Sequence, residues 1–115
     1  MNRISILVKK IPNYNNSTLY HYIDYQKELT YAAKKFPGFL NTDSYIINEL
    51  YKKNDMDDNL KKIINISTWD NIQFWNNWYN SEERLILKEK YNGTIKDEEI
   101  IVMTNKNNND DTFLL

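Results

Sequence analysis

The stretch T-W-D-N-I-Q-F-W-N-N-W-Y-N-S-E-E-R-L-I-L-K-E-K-Y, Thr68 to Tyr91, contains all three tryptophans of the chain. Trp69 falls where a strand hands over to a helix. Asp70 followed by Gln73 has capping-box spacing, in which a side-chain acceptor and a glutamine three residues on satisfy each other's free amides, so the spacing predicts a helix from Asn71. Phe74, Trp75, Trp78 and Tyr79 then share one apolar stripe. Ser81 predicts a cap for a second helical piece that runs through Leu85, Leu87 and Tyr91 and ends at Asn92-Gly93.

Outward from this block, Lys62 to Trp69 reads as a strand with apolar residues on both parities: Ile63 and Trp69 on one, Ile64 and Ile66 on the other. Arg3 to Ile11 reads as another, also apolar on both parities and ended by Pro12 and the Asn13 to Asn16 cluster. Ser17 can cap a helix from near Thr18, along which Leu19, Tyr22, Ile23, Leu29, Ala33 and Phe36 recur at helical spacing up to Pro37-Gly38. Phe39 to Leu50 is a second strand. Phe39, Tyr45 and Ile47 lie on one parity and Leu40, Ile46 and Leu50 on the other. The charged Lys52 to Lys61 segment reads as a solvated connection, Glu98 to Met103 as a last strand, and 105–115 as an Asn/Asp-rich tail following a single domain over 1–104.

Strand, helix, strand, strand, helix, strand is the ferredoxin-like α+β arrangement, an antiparallel βαββαβ sheet with two helices on one face. That arrangement leaves the other face bare. Because the first and third strands are apolar on both sides, a second copy of the chain is the simplest cover, and the expectation is a homodimer packed sheet to sheet.

Composition narrows the function classes. With 115 residues, 41% hydrophobic and 27% charged, the chain is globular in character. A formal net charge of -1 supplies no field for nucleic acid. Cysteine is absent, which removes disulfides and thiolate chemistry. Ile4 to Val8 is too short for a membrane span, so the expectation is a cytoplasmic protein that does not engage a membrane. The 18 asparagines, with abundant isoleucine and lysine, point to an AT-rich genome. Asp55, Asp57 and Asn59 mimic the start of a calcium loop, but Leu60 stands where glycine is needed and Ile66 where glutamate is needed, so no metal site is expected.

Phe36-Pro37-Gly38-Phe39, Trp69-Asp70, Trp75, Trp78, and Ser81 with Arg84 together resemble the antibiotic biosynthesis monooxygenase domain family, a branch of the dimeric α+β barrel proteins. The resemblance spans Arg3 to Met103. It implies a dimeric barrel and cofactor-free oxidation of a small aromatic or quinol-like molecule, or else haem degradation. The haem-degrading members use an asparagine on the first strand, the tryptophan opening the second helix and a histidine on that helix. Here the corresponding positions carry Lys9, Trp69 and Lys88, and a protonated lysine is a poor axial ligand, so no cofactor is expected. The sole histidine, His21, lies on the first helix, where a lone imidazole is ordinarily a surface or packing residue.

Chemistry on dioxygen without a cofactor needs an electron-rich substrate and a dry pocket that stabilises its anion. In the space between sheet and helices the candidates for this work are Trp69, Lys9 and Asn65, with Tyr22, Tyr45, Trp75 and Lys88 around the substrate. Against this stands a bland reading in which Trp75 and Trp78 are core anchors and Ser81 and Arg84 are a helix cap and a surface ion pair or carbonyl clamp. The rival function is therefore a non-enzymatic dimer that binds a hydrophobic ligand or serves as a structural module.

Overall fold

The computed structural model describes residues 3–13, 19–47 and 62–104. Seven elements follow in order: β1 (Ile4–Pro12), α1 (Leu19–Ala33), β2 (Phe39–Ile47), β3 (Lys62–Trp69), α2 (Ile72–Tyr79), α3 (Glu82–Lys90) and β4 (Ile95–Thr104). The four strands form one antiparallel sheet in the order β2-β3-β1-β4. This is the ferredoxin-like α+β fold, with its second helix broken into α2 and α3 at Asn80-Ser81.

Strand alternation assigns the faces. On β3, Ile63, Asn65, Ser67 and Trp69 are buried and the residues between them are half-buried. On β1 the buried partners are Ile4, Ile6 and Lys10. Tyr25, Leu29 and Ala33 of α1 and Trp75 and Trp78 of α2 pack over this face and complete the core. Phe36 meets Trp78 edge to face at 5.2 Å, and Phe39 meets Trp69 in the same way at 5.4 Å. Each such aromatic side chain removes roughly 150–250 Å² from water, so the tryptophans dominate the adhesion of helix to sheet. The reading of Trp75 and Trp78 as anchors is met in this packing.

The opposite face carries Leu7, Ile64 and Ile66, all half-buried, and Ile101, which is 42% exposed. Leu7 stands between Ile66 and Ile101 across the sheet. An apolar patch thus runs across three strands on the side without helices.

Local signals account for most boundaries and misplace some. The helical pattern predicts that α1 continues to Pro37, but the helix ends at Ala33 and residues 34–38 form a turn closed by Gly38 at φ 85°. A Cβ on Gly38 would lie 2.2 Å from the Phe74 ring, so close packing as well as backbone geometry requires glycine here. The cap of α2 is Asn71, not Asp70: its side chain accepts from the amides of Gln73 and Phe74, at 2.9 and 3.3 Å. Ser81 caps α3 as expected, accepting from the Arg84 amide at 3.1 Å. β4 begins at Ile95, earlier than its apolar run suggests, because Ile95 pairs with Pro12 and Asp97 with Ile11. In β2 a register shift between Phe39 and Asn41 places Phe39 opposite Trp69 and Tyr45 opposite Ile64, so two residues of equal parity end on opposite sides. The Ser17 cap, the end of the second strand at 48–50, the Lys52 to Lys61 connection with its rejected calcium pattern, and the 105–115 tail lie outside the described residues. Among the described residues no helix is long and apolar enough to cross a membrane.

Candidate functional site

A cavity of about 50 Å³, partly open to solvent, lies between the sheet and the helices. Its apolar walls include Trp69, Trp75, Phe39 and Leu29; its polar groups include Lys10, Asn65, Ser67, Gln26, Arg84 and Glu98. The volume exceeds the roughly 10–15 Å³ that a water molecule needs. Among the described residues the lining contains no imidazole or thiolate, and the cavity is far short of a macrocycle in size, so these residues do not fit a haem.

Trp69 is the best-enclosed part of the site, at 0% exposure. As the last residue of β3 it has its backbone in the sheet, while its indole Nε1 donates to Ser67 Oγ at 2.9 Å. That bond satisfies the only polar atom of the ring and fixes the indole as a flat wall. Asn65 is on the same face, four residues before Trp69. Its Nδ2 donates to Thr42 Oγ1 at 2.7 Å, Ser44 Oγ at 3.0 Å and the Asp43 carbonyl at 3.3 Å, all on β2. The amide nitrogen is thus committed to the neighbouring strand.

Alternation along β1 decides which lysine reaches the cavity. Lys9, paired with Ile64 and Glu99, shares the side of Leu7 and Ile66, away from Trp69. Lys10, paired with Ile63 and Glu98, is on the helix-covered side and only 7% exposed. Its Nζ donates to Gln26 Oε1 at 3.3 Å and sits 4.8 Å from the centre of the Tyr25 ring. Burial drives the Lys10 ammonium down from its ordinary 10.5 to about 8; the Glu98 carboxylate pulls the other way and the Arg84 guanidinium adds to the fall. The Tyr25 hydroxyl is raised, chiefly by burial.

Arg84 closes the polar end. It is buried, donates from Nη1 to the Tyr79 carbonyl at 3.2 Å, lies 3.9 Å over the Tyr79 ring, and holds Glu98 Oε1 at 3.7 Å. Tyr79 in turn stacks on Trp75 at 4.8 Å. The expectation of a carbonyl clamp is met, but the ion pair is at the cavity and not on the surface.

The remaining predicted residues are dispersed. Trp75 lines the cavity. Tyr22 is fully buried outside it, its hydroxyl donating to the Thr94 carbonyl. Tyr45 is 53% exposed and borders a separate outer groove of about 480 Å³ between α1 and β2. Lys88 is exposed on α3 and outside the cavity. His21 is exposed on α1, edge-on to Tyr91 at 5.2 Å. Sequence reasoning missed Lys10 and Gln26, and named Arg84 only as a clamp or surface ion pair, not as part of the cavity. The available signal for Arg84 was its helical alignment with Leu87 and Tyr91; for Lys10 it was the parity shared with Ile4, Ile6 and Val8.

No family model and no curated protein sequence matches the chain. The fold does match. SnoaB, a cofactor-independent oxygenase from Streptomyces nogalater, superposes with a TM-score of 0.70 at 10% identity, over 93% of this chain and 96% of that one. A dimeric ferredoxin-like protein of unknown function from Thermobifida fusca gives 0.68 at 10% identity, over 90% and 92%. A candidate antibiotic biosynthesis monooxygenase from Nitrosomonas europaea gives 0.63 at 7% identity, over 90% and 89%. At these identities the likeness shows the fold alone. The resemblance carried by the tryptophan block is upheld at that level.

Proposed function

We propose that this chain is a cofactor-independent monooxygenase of the antibiotic biosynthesis type, acting on a small aromatic or quinol-like substrate. The observation that carries the reading is the cavity itself: a fully buried indole wall at Trp69 faces a polar end built by Lys10, Asn65 and Arg84. In such a reaction the substrate supplies the electrons that reduce dioxygen. The protein's share is to exclude water, align the ring and hold the anion from which electrons leave. Trp69 and Trp75 supply the flat walls, and the cations at positions 10 and 84 supply the field. SnoaB, which shares the fold, is described as working without a cofactor.

A homodimer through the open sheet face belongs to the same reading. Leu7, Ile66 and Ile101 form an apolar surface that a second copy would cover, and the Thermobifida fusca neighbour is described as dimeric.

The second reading, a dimeric ligand-binding or structural module without turnover, is favoured by the size of the cavity. At about 50 Å³ it is smaller than the roughly 150 Å³ that accepts a benzene ring, so a ring enters only partway unless side chains move. Oxygen uptake with a panel of quinols and anthrones separates the two. Consumption that tracks loss of the substrate's absorbance supports the monooxygenase; ligand binding without consumption across the panel supports the module.

A further inference from the structure

The inner cavity and the outer groove meet at two residues of α1, Gln26 and Thr30, which line both. Gln26 is held on each side by a long bond: its Nε2 donates to Thr30 Oγ1 at 3.4 Å, and its Oε1 accepts from Lys10 Nζ at 3.3 Å. Bonds of this length are weak, so a better acceptor can take the amide's place on Nζ at little cost. The groove on the far side holds about 480 Å³ and is walled by Ile23, Ile46 and Ile63, ample for aromatic rings that the inner cavity cannot contain. Among the described residues no carboxylate lies within ion-pair distance of Lys10, because Glu98 is engaged by Arg84. A buried amine whose neighbouring carboxylate is already engaged by Arg84, at a small cavity that adjoins an apolar groove, calls for a ligand that brings its own negative charge on oxygen.

We propose that Lys10 is the proton acceptor of this site, taking the hydroxyl proton of a phenol or enol whose ring lies in the outer groove and whose oxygen displaces Gln26. The assignment rests on the monooxygenase reading above for its biological purpose, not for its geometry. In the step, the O–H bond breaks and an N–H bond forms on neutral Nζ. The electron pair stays on oxygen, and the product is a phenolate held by an ammonium ion. No electron is transferred; the phenolate is the electron-rich species that dioxygen subsequently oxidises. The lysine is suited to this exchange because burial holds its ionisation near 8, where both forms are populated close to neutral pH. Among the described residues the ionisable and charged groups facing it are Tyr25 on α1, Tyr79 on α2, Arg84 on α3 and Glu98 on β4, while β2 and β3 contribute the neutral Thr42, Asn65 and Ser67.

The test is a spectrophotometric pH titration of 4-nitrophenol bound to the full chain, since the colour reports which form is bound. Bound 4-nitrophenol is expected to acidify by about tenfold relative to the free phenol. Lys10→Met, a shape-conserving change, is expected to abolish that shift. An unshifted ionisation in the wild-type complex, an equal shift in Lys10→Met, or no binding at millimolar phenol would overturn the assignment. If Lys10→Met does not fold, ¹³C NMR of the lysine side chains in the wild-type chain decides. The Lys10 ionisation must rise when 4-nitrophenol is added, and an unchanged value refutes the proposal. The two readings fail separately. A shifted nitrophenol with no oxygen uptake on quinols removes the monooxygenase and keeps the proton acceptor. Uptake that persists undiminished in Lys10→Met removes the proton acceptor and keeps the monooxygenase.

Discussion

Lys10 and Glu98 are cross-strand partners on the helix-covered face, yet the Glu98 carboxylate is held by Arg84 at 3.7 Å while Lys10 Nζ turns to the neutral amide of Gln26. The lysine therefore carries the cost of burial with only a remote carboxylate to offset it. Its folded-state value, about 8, is below the 10.5 of the unfolded chain. Between those values the unfolded state binds more protons, so stability rises with pH. Lys10→Met should thus be more stable than wild type at pH 7, by on the order of 2–3 kcal/mol. The gap should close as pH rises from 8 towards 10.5. Urea denaturation of both chains at pH 7 and pH 10 measures it; a gap that does not narrow contradicts the buried-amine account.

Arg84 and Glu98 act on Lys10 with opposite sign. Arg84→Met removes a neighbouring cation and should raise the Lys10 ionisation; Glu98→Gln should lower it further. Arg84→Met also leaves the Tyr79 carbonyl and Glu98 without their partner, for a loss of about 2 kcal/mol. NMR titration of the lysine side chain reads the two shifts, and movement in the same direction in both variants would count against this arrangement of charges.

The two glycines both have positive φ but differ in their surroundings. Gly38→Ala would drive a methyl group into the Phe74 ring, at 2.2 Å from its nearest carbon, whereas a Cβ on Gly93 meets nothing within 4 Å. Gly93→Ala should cost only the backbone term, about 1–2 kcal/mol. Gly38→Ala should cost that plus repacking, about 2–4 kcal/mol in all. Thermal melts of the two variants side by side decide whether packing or φ alone explains the Pro37-Gly38 turn.

Trp69 joins structure to the proposed chemistry. Trp69→Phe loses the bond to Ser67 but keeps an aromatic wall, and should cost about 1–2 kcal/mol; Trp69→Ala should cost about 3–5 kcal/mol. If the indole contacts substrate, the phenylalanine variant, still folded, loses oxygen uptake out of proportion to its stability. Equal losses of fold and activity would leave Trp69 a core residue.

Ile66→Asp puts a charge at the centre of the open face without touching the helix-covered core. Sedimentation velocity should show a dimer for the wild-type chain and a folded monomer for this variant. A wild-type monomer at micromolar concentration would remove the dimer from the functional reading.

Much of this architecture is legible in local residue patterns. The Lys62 to Trp69 strand, the break at Ser81 and the element order follow from short β-branched apolar runs, capping chemistry and breakers, all of which act within a few residues. The tryptophan stripe on α2 was legible for the same reason, since helical spacing alone places Trp75 and Trp78 together.

The sequence by itself determined the ferredoxin-like order of elements and the place of Trp69 at the strand-to-helix junction. Only the tertiary structure decided which face of each strand the helices cover. β1 and β3 are apolar on both parities, so periodicity cannot choose a side, and a choice wrong by one residue exchanges Lys9 for Lys10. The register shift after Phe39 likewise sends Tyr45 away from Phe39 despite their equal parity. Arg84 is buried beside Glu98 because α3 packs over the sheet, bringing together residues from separate elements. The polar end of the cavity is therefore assembled by long-range packing and is not written in any short stretch of chain. Its aromatic wall, built from Trp69 and Trp75, was already visible in the stretch from Thr68 to Tyr91.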